Sequence, residues 1–283
     1  MRSNLFASTL AIALGTMSPI VGAIGFHAAV AVQTVDQRTV EADQLRQQGN
    51  EQARKGKLET AIQSWKQALK LYREIKNRQG EGKTLNNLGF AYGSLGNYQQ
   101  STQYSEQSLA IAREIKDRQI EAASRGNLGS MYYSTKNYSK SIDYYKQSLA
   151  IAREIKNRGF EGSSLEGLGN VYYSIGNDDR SIDYYKQWLA IARELKNRDD
   201  ERLALNNIGS ILERQKKLDL AIGFYKQSIN VSESIRKDNR SLSQDRQDSY
   251  TKTVAETYHH LAKLLLDQGK ISEAAKIVEL IEP

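Results

Sequence analysis

The sequence predicts an all-α solenoid built from about six helix-turn-helix units. The first observation is an internal repeat: residues 141–158, SIDYYKQSLAIAREIKNR, return as residues 181–198 with two of the eighteen positions changed. The glycine that opens each unit returns at forty-residue steps, at Gly49, Gly89, Gly129, Gly169 and Gly209. Constant spacing without insertions indicates units that pack only on their neighbours. The second observation is that the two prolines, Pro19 and Pro283, leave nothing between them that would break a helix.

Residues 1–31 have the features of an export signal. Arg2 precedes an apolar, alanine-rich stretch without acidic residues, and two small-x-small sites, ending at Ala23 and Ala31, suit a signal peptidase. The alternative is an uncleaved membrane anchor over residues 5–32, because the apolar stretch approaches the roughly 20 residues that span a bilayer. We expect a periplasmic or extracellular protein, with membrane association only where this segment is retained.

Five units of the forty-residue period occupy residues 32–236, and each contains two helices, A and B. In the third unit, steps of three and four residues place one apolar stripe on helix B; its members are Ile142, Tyr145, Leu149, Ala152 and Ile155. Where helix A ends, a left-handed terminator favours glycine; the candidates are Gly56, Gly96 and Gly176. In front of helix B, an asparagine can accept a hydrogen bond from a free backbone N–H; the candidates are Asn97, Asn137 and Asn177.

The register of the repeat is lost after the fifth unit. Residues 237–249 are polar and form either a linker or a helix extension. Residues 250–283 then give a sixth, degenerate capping unit. Its apolar and small residues fall at the places that the repeat requires; they are Leu261, Leu265, Gly269, Ala274 and Val278.

The repeat resembles the tetratricopeptide repeat across about residues 41–283. In the third unit the resemblance is carried by Leu128, Gly129, Tyr132, Ser141, Tyr145 and Ser148. It implies a right-handed superhelix of about twelve helices, and the forty-residue period is similar to the long-helix subclass that includes kinesin light chains. Two residues depart from the family pattern: Ser105 replaces the aromatic residue of helix B, and Trp188 occupies a site that is normally small. We interpret Trp188 as structural.

The closing unit is also similar to the end of bacterial tetratricopeptide arrays that precede a caspase-like CHAT domain. Residues 261–266, rich in leucine, and residues 269–274, GKISEA, carry this resemblance. The CHAT domain itself is absent. The resemblance implies an alternative role, in which the array assembles with itself or docks a separately encoded CHAT-type effector through its ends or convex face.

The composition argues against catalysis and against metal or nucleic-acid binding. The chain has no cysteine and three histidines, and its net charge of +7 is spread among alternating acidic and basic residues. His259 and His260 are adjacent, so on a helix they point about 100° apart and do not form a chelate. The charges of the AREIKNR blocks predict a solvated face. We therefore expect no enzyme activity, no cofactor and no nucleic acid partner.

The resemblance implies a binding surface on the inner wall, which helix A of every unit forms. In long-helix arrays, an asparagine of a Leu-Asn-Asn-Leu motif bonds the backbone of an extended peptide. Asn86-Asn87 and Asn206-Asn207 match this motif, Asn127 matches at one residue, and Gly167 departs from it. An amide side chain both donates and accepts, so it can pair with a peptide unit. The alternative is that these asparagines keep an exposed face soluble or bond a neighbouring helix.

Further inner-wall candidates are Asn50, Phe90, Asn170, Tyr133, Tyr173, Arg54 and Arg214. The tyrosines can stack on apolar groups of a ligand or pack between helices, and the arginines favour an acidic or carboxylate-bearing partner. The sequence therefore predicts a scaffold or adaptor that binds a protein or peptide through its concave face, without identifying the partner. Self-association is the competing hypothesis.

Overall fold

The computed structural model describes the backbone of residues 19–238 and 244–281 and the side chains of residues 35–238 and 249–281. Within these ranges the chain forms twelve α-helices and no strand, which confirms the predicted all-α solenoid. The helices are α1 (Pro19–Arg54), α2 (Leu58–Glu74), α3 (Arg78–Ser94), α4 (Tyr98–Glu114), α5 (Arg118–Ser134), α6 (Tyr138–Glu154), α7 (Arg158–Ser174), α8 (Asp178–Glu194), α9 (Arg198–Arg214), α10 (Leu218–Asp238), α11 (Gln244–Asp267) and α12 (Ile271–Glu279).

The helices form two layers. Each helix packs against the next one in the chain, and the odd-numbered helices from α1 to α7 also contact the next odd-numbered helix. The odd-numbered helices correspond to helix A of the repeat and form the inner layer. The even-numbered helices, which correspond to helix B, form the outer layer.

The links between helices are as regular as the helices themselves. Each helix from α2 to α9 has 17 residues, and three residues separate it from the next helix. The predicted left-handed glycines are confirmed, with φ of 73°, 77° and 76° at Gly56, Gly96 and Gly176. Lysine takes this conformation at the other links between α2 and α10; these residues are Lys76, Lys116, Lys136, Lys156, Lys196 and Lys216. Each such lysine costs roughly 1–2 kcal/mol relative to an ordinary helical conformation.

Two of the three predicted asparagine caps of helix B form. The side chain of Asn177 accepts a hydrogen bond from Arg180 N at 3.2 Å, and that of Asn137 accepts one from Lys140 N at 3.3 Å. Asn97 makes no side-chain cap bond, so the prediction is wrong there. The backbone explains the difference, because ψ falls from 76° at Asn177 to 71° at Asn137 and 66° at Asn97. The bond lengthens along the same series and is lost at its end.

Small residues allow helices A and B of one unit to approach closely. In the third unit, Ser141 Oγ donates a hydrogen bond to the carbonyl oxygen of Gly129 at 2.8 Å. A Cβ on Gly129 would lie 2.9 Å from the ring of Tyr145, which fills the remaining space. The same hydroxyl-to-carbonyl bond joins Ser101 to Gly89 and Ser181 to Gly169.

The structural interpretation of Trp188 is confirmed. Its side chain is 2% exposed and packs in the core between α7, α8 and α9. Gly162 of α7 lies beside the indole, and a Cβ on that residue would make an ordinary van der Waals contact with Trp188 Cδ1, at 3.6 Å.

The charged side chains of the AREIKNR blocks are largely exposed, as expected, and they also form ion pairs between helices; Arg153, Arg158 and Glu194 are 37–53% exposed. Glu161, at the start of α7, is 7% exposed and accepts a hydrogen bond from Arg153 Nε at 2.9 Å. Arg158 contacts both Glu161 and Glu194, which links α7 to the end of α8. Equivalent networks surround Glu81 and Glu121. Each of these first-turn glutamates is thus bound by an arginine at the end of the preceding helix.

The repeat register is lost after the fifth unit because α10 and α11 are longer than α2 to α9. α10 has 21 residues and α11 has 24. Residues 237–238 belong to α10 and residues 244–249 to α11, whereas residues 239–243 lie outside the described part of the chain. In the capping unit, Leu261, Leu265 and Ala274 are buried, and Gly269 has a φ of 72°.

The predicted export signal falls mostly outside the described residues. Residues 1–18 are not covered, and residues 19–31 form the beginning of α1. Among the described helices, none combines the length and the apolar character needed to cross a bilayer.

Candidate functional site

An open groove with a volume of about 790 Å³ runs along the inner layer from α1 to α7. Small side chains of α5 open its middle; they are Ala122, Ala123 and Gly126. The rings of Trp65 and Tyr145, from the outer helices α2 and α6, form part of its floor. The groove is long and open, which suits an extended chain better than a compact small molecule.

Eight of the twelve predicted site residues line this groove. They are Asn50, Arg54, Asn86, Asn87, Phe90, Asn127, Tyr133 and Asn170. The other four lie on α7 and α9 outside its lining; they are Tyr173, Asn206, Asn207 and Arg214. The structure thus brings together the predicted residues of the first four units, except Tyr173.

The groove asparagines bridge adjacent inner helices. Asn87 Nδ2 donates to Asn50 Oδ1 at 2.9 Å, which connects α3 to α1. Asn127 Nδ2 donates to Asn86 Oδ1 at 2.9 Å and to its carbonyl oxygen at 3.1 Å, which connects α5 to α3. The Nδ2 atom of each asparagine therefore joins two neighbouring inner helices. Among the described residues, no hydrogen bond reaches the Oδ1 atoms of Asn87 and Asn127, so these half-buried acceptors can pair with a ligand.

Asn50 and Asn170 also satisfy buried aromatic side chains of helix B. Trp65 Nε1 donates to Asn50 Oδ1 at 3.1 Å, and the hydroxyl of Tyr185 donates to Asn170 Oδ1 at 2.5 Å. In both units the aromatic residue lies fifteen positions after its polar partner. A polar side chain at this place on helix A thus lets a polar aromatic ring remain buried.

The second unit exchanges these two residue types. Ser105 replaces the buried aromatic residue, and Phe90 replaces its polar partner. Ser105 is fully buried, and its hydroxyl has no hydrogen-bond partner among the described residues. The ring of Phe90 is 55% exposed and lies in the groove wall. The second unit therefore has its aromatic ring in the groove wall, whereas the first and fourth units have theirs in the core.

The two tyrosine candidates differ in how freely they can meet a ligand. The hydroxyl of Tyr133 lies 3.2 Å from Ser174 Oγ, and its ring packs against Tyr138 at a centroid distance of 6.1 Å. The ring of Tyr173 is covered by the guanidinium of Arg214, whose Cζ lies 4.1 Å from the ring centroid. Tyr133 thus joins two units while lining the groove.

The last two asparagine candidates and Arg214 take part in contacts away from the groove. Asn206 Oδ1 accepts a hydrogen bond from Thr257 Oγ1 at 3.1 Å, which connects α9 to α11. Asn207 is half-buried on α9. Arg214 forms an ion pair with Asp178. The amide row of the inner wall thus continues into the fifth unit, but the groove does not.

Opposite charges occupy the two ends of the groove. Arg54, exposed at the end of α1, forms no ion pair with any described residue. Glu166, half-buried on α7, lines the other end. Burial raises the pKa of Glu166, and the negative charge of Asp200 raises it further. A ligand that lies along the groove therefore meets a positive group at one end and a negative group at the other.

Sequence reasoning missed Glu166 and Phe160, which also lines the groove. Glu166 follows Arg46, Asn86 and Gly126 at forty-residue steps, so the repeat does not mark it by identity. The signal that could have found it is the variability of this column, whose fifth member is Asn206, because a position that accepts such different side chains is not required for packing. Among the described residues, no group of three or more histidine, aspartate or glutamate side chains could hold a metal ion.

These features define a class of protein: an α-solenoid of helix-turn-helix units with a groove along its inner layer. The family model for the tetratricopeptide repeat matches residues 45–114, 80–154 and 160–234. The chain therefore belongs to the tetratricopeptide repeat family. No curated protein matches it in sequence.

Solved structures with a similar fold include several Rap proteins. Aspartyl phosphate phosphatase F from Bacillus subtilis superposes with a TM-score of 0.64 and 15% identity, over 89% of this chain and 72% of that one. A Rap protein complexed with competence and sporulation factor gives 0.63 and 15%, over 85% and 74%. The apo form of RapI gives 0.62 and 13%, over 84% and 94%. At these identities the similarity shows the fold alone.

Proposed function

We propose that the chain is a scaffold or adaptor that binds an extended peptide segment of a protein partner in the groove between α1 and α7. The observation that carries this proposal is the groove itself, which is lined by amide, aromatic and charged side chains of four successive units. A fold neighbour solved with competence and sporulation factor supports binding as a use of this architecture.

Recognition divides between the backbone and the side chains of the ligand. The Oδ1 atoms of Asn87 and Asn127 accept hydrogen bonds from peptide N–H groups, and each bond contributes about 1 kcal/mol net. The amide bridges to Asn50 and Asn86 hold both acceptors in place before the ligand arrives, which limits the entropy lost on binding. Phe90 supplies the apolar contact that hydrogen bonds to backbone cannot provide.

The test is capture of partners from the native host with the full chain, beside an Asn87→Ala/Asn127→Ala variant and a Phe90→Ala variant. We expect partners held by the wild type to be lost by both. Phe90→Ala matters most because the ring is 55% exposed, so its removal changes the groove and leaves the core intact. Retention of every partner by both variants would contradict the proposal.

The matched control is Asn230→Ala, which removes an exposed amide from the outer helix α10. We expect this variant to retain all partners. Circular dichroism of each variant shows whether the loss of the amide bridges has altered the fold. A partner lost by Asn230→Ala as well would indicate binding outside the groove.

A second candidate function is docking through the C-terminal end. Leu266 and Ile271, near the turn between α11 and α12, are 52% and 69% exposed, which leaves apolar side chains uncovered at this end of the solenoid. They suit self-association or the docking of a separately encoded CHAT-type effector. Light scattering after gel filtration tests the first use: Ile271→Glu should reduce self-association and leave capture through the groove unchanged.

We propose in addition that the protein acts outside the cytoplasm. The signal-like composition of residues 1–31 supports this localisation. Mass spectrometry of the protein from its host should find an N-terminus at Val32 or Ile24. Recovery of residues 1–31 in the membrane fraction would favour the anchor.

A further inference from the structure

Glu166 differs from the other shielded glutamates of the inner helices. Glu81, Glu121 and Glu161 are each 6–7% exposed, and each contacts at least two arginines. Glu166 is half-buried, yet among the described residues no lysine, arginine or histidine nitrogen lies within 4 Å of its carboxylate. A shielded carboxylate without a counterion is costly, and most proteins avoid it.

A second carboxylate adds to this negative charge. Asp200, half-buried in the first turn of α9, is close enough to act on Glu166 and likewise has no ion pair among the described residues. Burial raises the pKa of Asp200 itself, and Asp199 adds to the effect. The α7 end of the groove therefore carries negative charge that its own residues do not neutralise.

The space next to Glu166 suits a long side chain with an apolar stem. The ring of Tyr145 lines the groove here and packs directly against Gly167, where a Cβ would lie 2.3 Å from Tyr145 Cζ, so it offers an apolar surface beside Glu166. Phe160 and the small side chains of α5 complete the walls. Lysine and arginine bury their stems along such surfaces while their charged heads reach a polar group.

We propose that Glu166, supported by Asp200, binds the lysine or arginine side chain of a peptide segment that lies along the groove. This inference rests on the proposed function and extends it by naming a feature of the partner. It also gives the ligand a direction. The basic residue lies over α7, and an acidic residue or a terminal carboxylate meets Arg54 at the α1 end.

The test selects peptides from a displayed library of random 12-residue sequences on the immobilised full chain. Three proteins are compared: wild type, Glu166→Gln and Glu106→Gln. The control removes a carboxylate from the exposed surface of α4, so it makes the same change in net charge outside the groove. We expect lysine or arginine to be enriched at one position by the wild type and by Glu106→Gln, and to lose that enrichment with Glu166→Gln.

A synthetic peptide from the wild-type pool then gives the magnitude. Replacing its basic residue with alanine should weaken binding to the wild type about 10-fold or more, as expected for a charge-assisted hydrogen bond. The same replacement should have little effect on binding to Glu166→Gln. Exchanging the charges, with Glu166→Lys against a peptide that carries glutamate, should restore part of the affinity.

The outcomes separate this inference from the proposed function. Peptides that require Asn87, Asn127 and Phe90 but show no basic preference would overturn the inference and leave groove binding intact. Peptides that bind every groove variant equally would overturn both. An empty selection would also overturn both, because a groove of this kind must recognise some extended sequence.

Discussion

Two glycines of the groove provide a direct test of how the units fit together. Gly126 and Gly167 both lie inside an inner helix and both line the groove. Their surroundings differ. A Cβ on Gly126 would meet only Ser148 Oγ, at 3.7 Å, whereas a Cβ on Gly167 would lie 2.3–2.7 Å from three atoms of the Tyr145 ring. We therefore expect Gly126→Ala to stabilise the protein and Gly167→Ala to be the less stable of the two.

The magnitude follows from two terms. Replacing glycine with alanine inside a helix gains roughly 0.8–1 kcal/mol, and both variants share this gain. Only Gly167→Ala adds the cost of overpacking, which is about 1–3 kcal/mol. The difference between the two variants therefore isolates the contact with Tyr145 and should reach about 1–3 kcal/mol. For a chain of this size, such a difference separates the unfolding midpoints by about 2–12 °C.

Thermal unfolding followed by circular dichroism at 222 nm measures both midpoints under the same conditions. Gly126→Ala should unfold above the wild type, and Gly167→Ala should unfold below Gly126→Ala. The reasoning is refuted if Gly167→Ala unfolds at or above the midpoint of Gly126→Ala, because the ring of Tyr145 would then not occupy the space assigned to it.

Three further predictions concern charge and backbone conformation. Because the pKa of Glu166 is raised in the folded state, folding favours the protonated carboxyl, and its ionisation lowers stability as pH rises through the unfolded and folded pKa values. Glu166→Gln should therefore raise the midpoint of thermal unfolding at pH 7 and change it little at pH 3. Glu121→Gln leaves the buried Arg125 without a carboxylate partner, bonded only to Gln147 Oε1, and should lower the free energy of unfolding measured in urea by about 3–5 kcal/mol. Glu161→Gln should cost less, because the arginines at that site are partly exposed. Lys136→Gly, at a φ of 60°, should raise the free energy of unfolding measured in urea by about 0.5–1 kcal/mol, whereas Lys140→Gly inside α6 should lower it by a similar amount.

The fold could be predicted because the sequence pattern that packs helix A against helix B recurs in five units. Gly129 and Ser141 recur at fixed spacing, and their roles follow from close approach of two helices. Trp188 could be interpreted as structural, but its surroundings could not be predicted, because they depend on how α7, α8 and α9 pack around it.

The site could be predicted only in part for a related reason. Asn87 and Asn127 stood out as members of a column, and both line the groove. Their bonds to Asn50 and Asn86 could not be foreseen, because they depend on the offset between neighbouring inner helices. Glu166 could not be predicted in the same way, because none of the residues at forty-residue steps from it, Arg46, Asn86, Gly126 and Asn206, is acidic. At such a variable position one unit can acquire a specificity that its neighbours lack.

The near identity of residues 141–158 and 181–198 has a consequence for how the chain reaches this structure. Two helices with almost the same surface can dock in each other's place during folding, and repeat proteins are prone to this kind of misfolding. If α6 docked where α8 belongs, the small side chain of Ser148 would stand in the core position that the indole of Trp188 fills between α7, α8 and α9. Trp188 therefore distinguishes the position of α8 from that of α6.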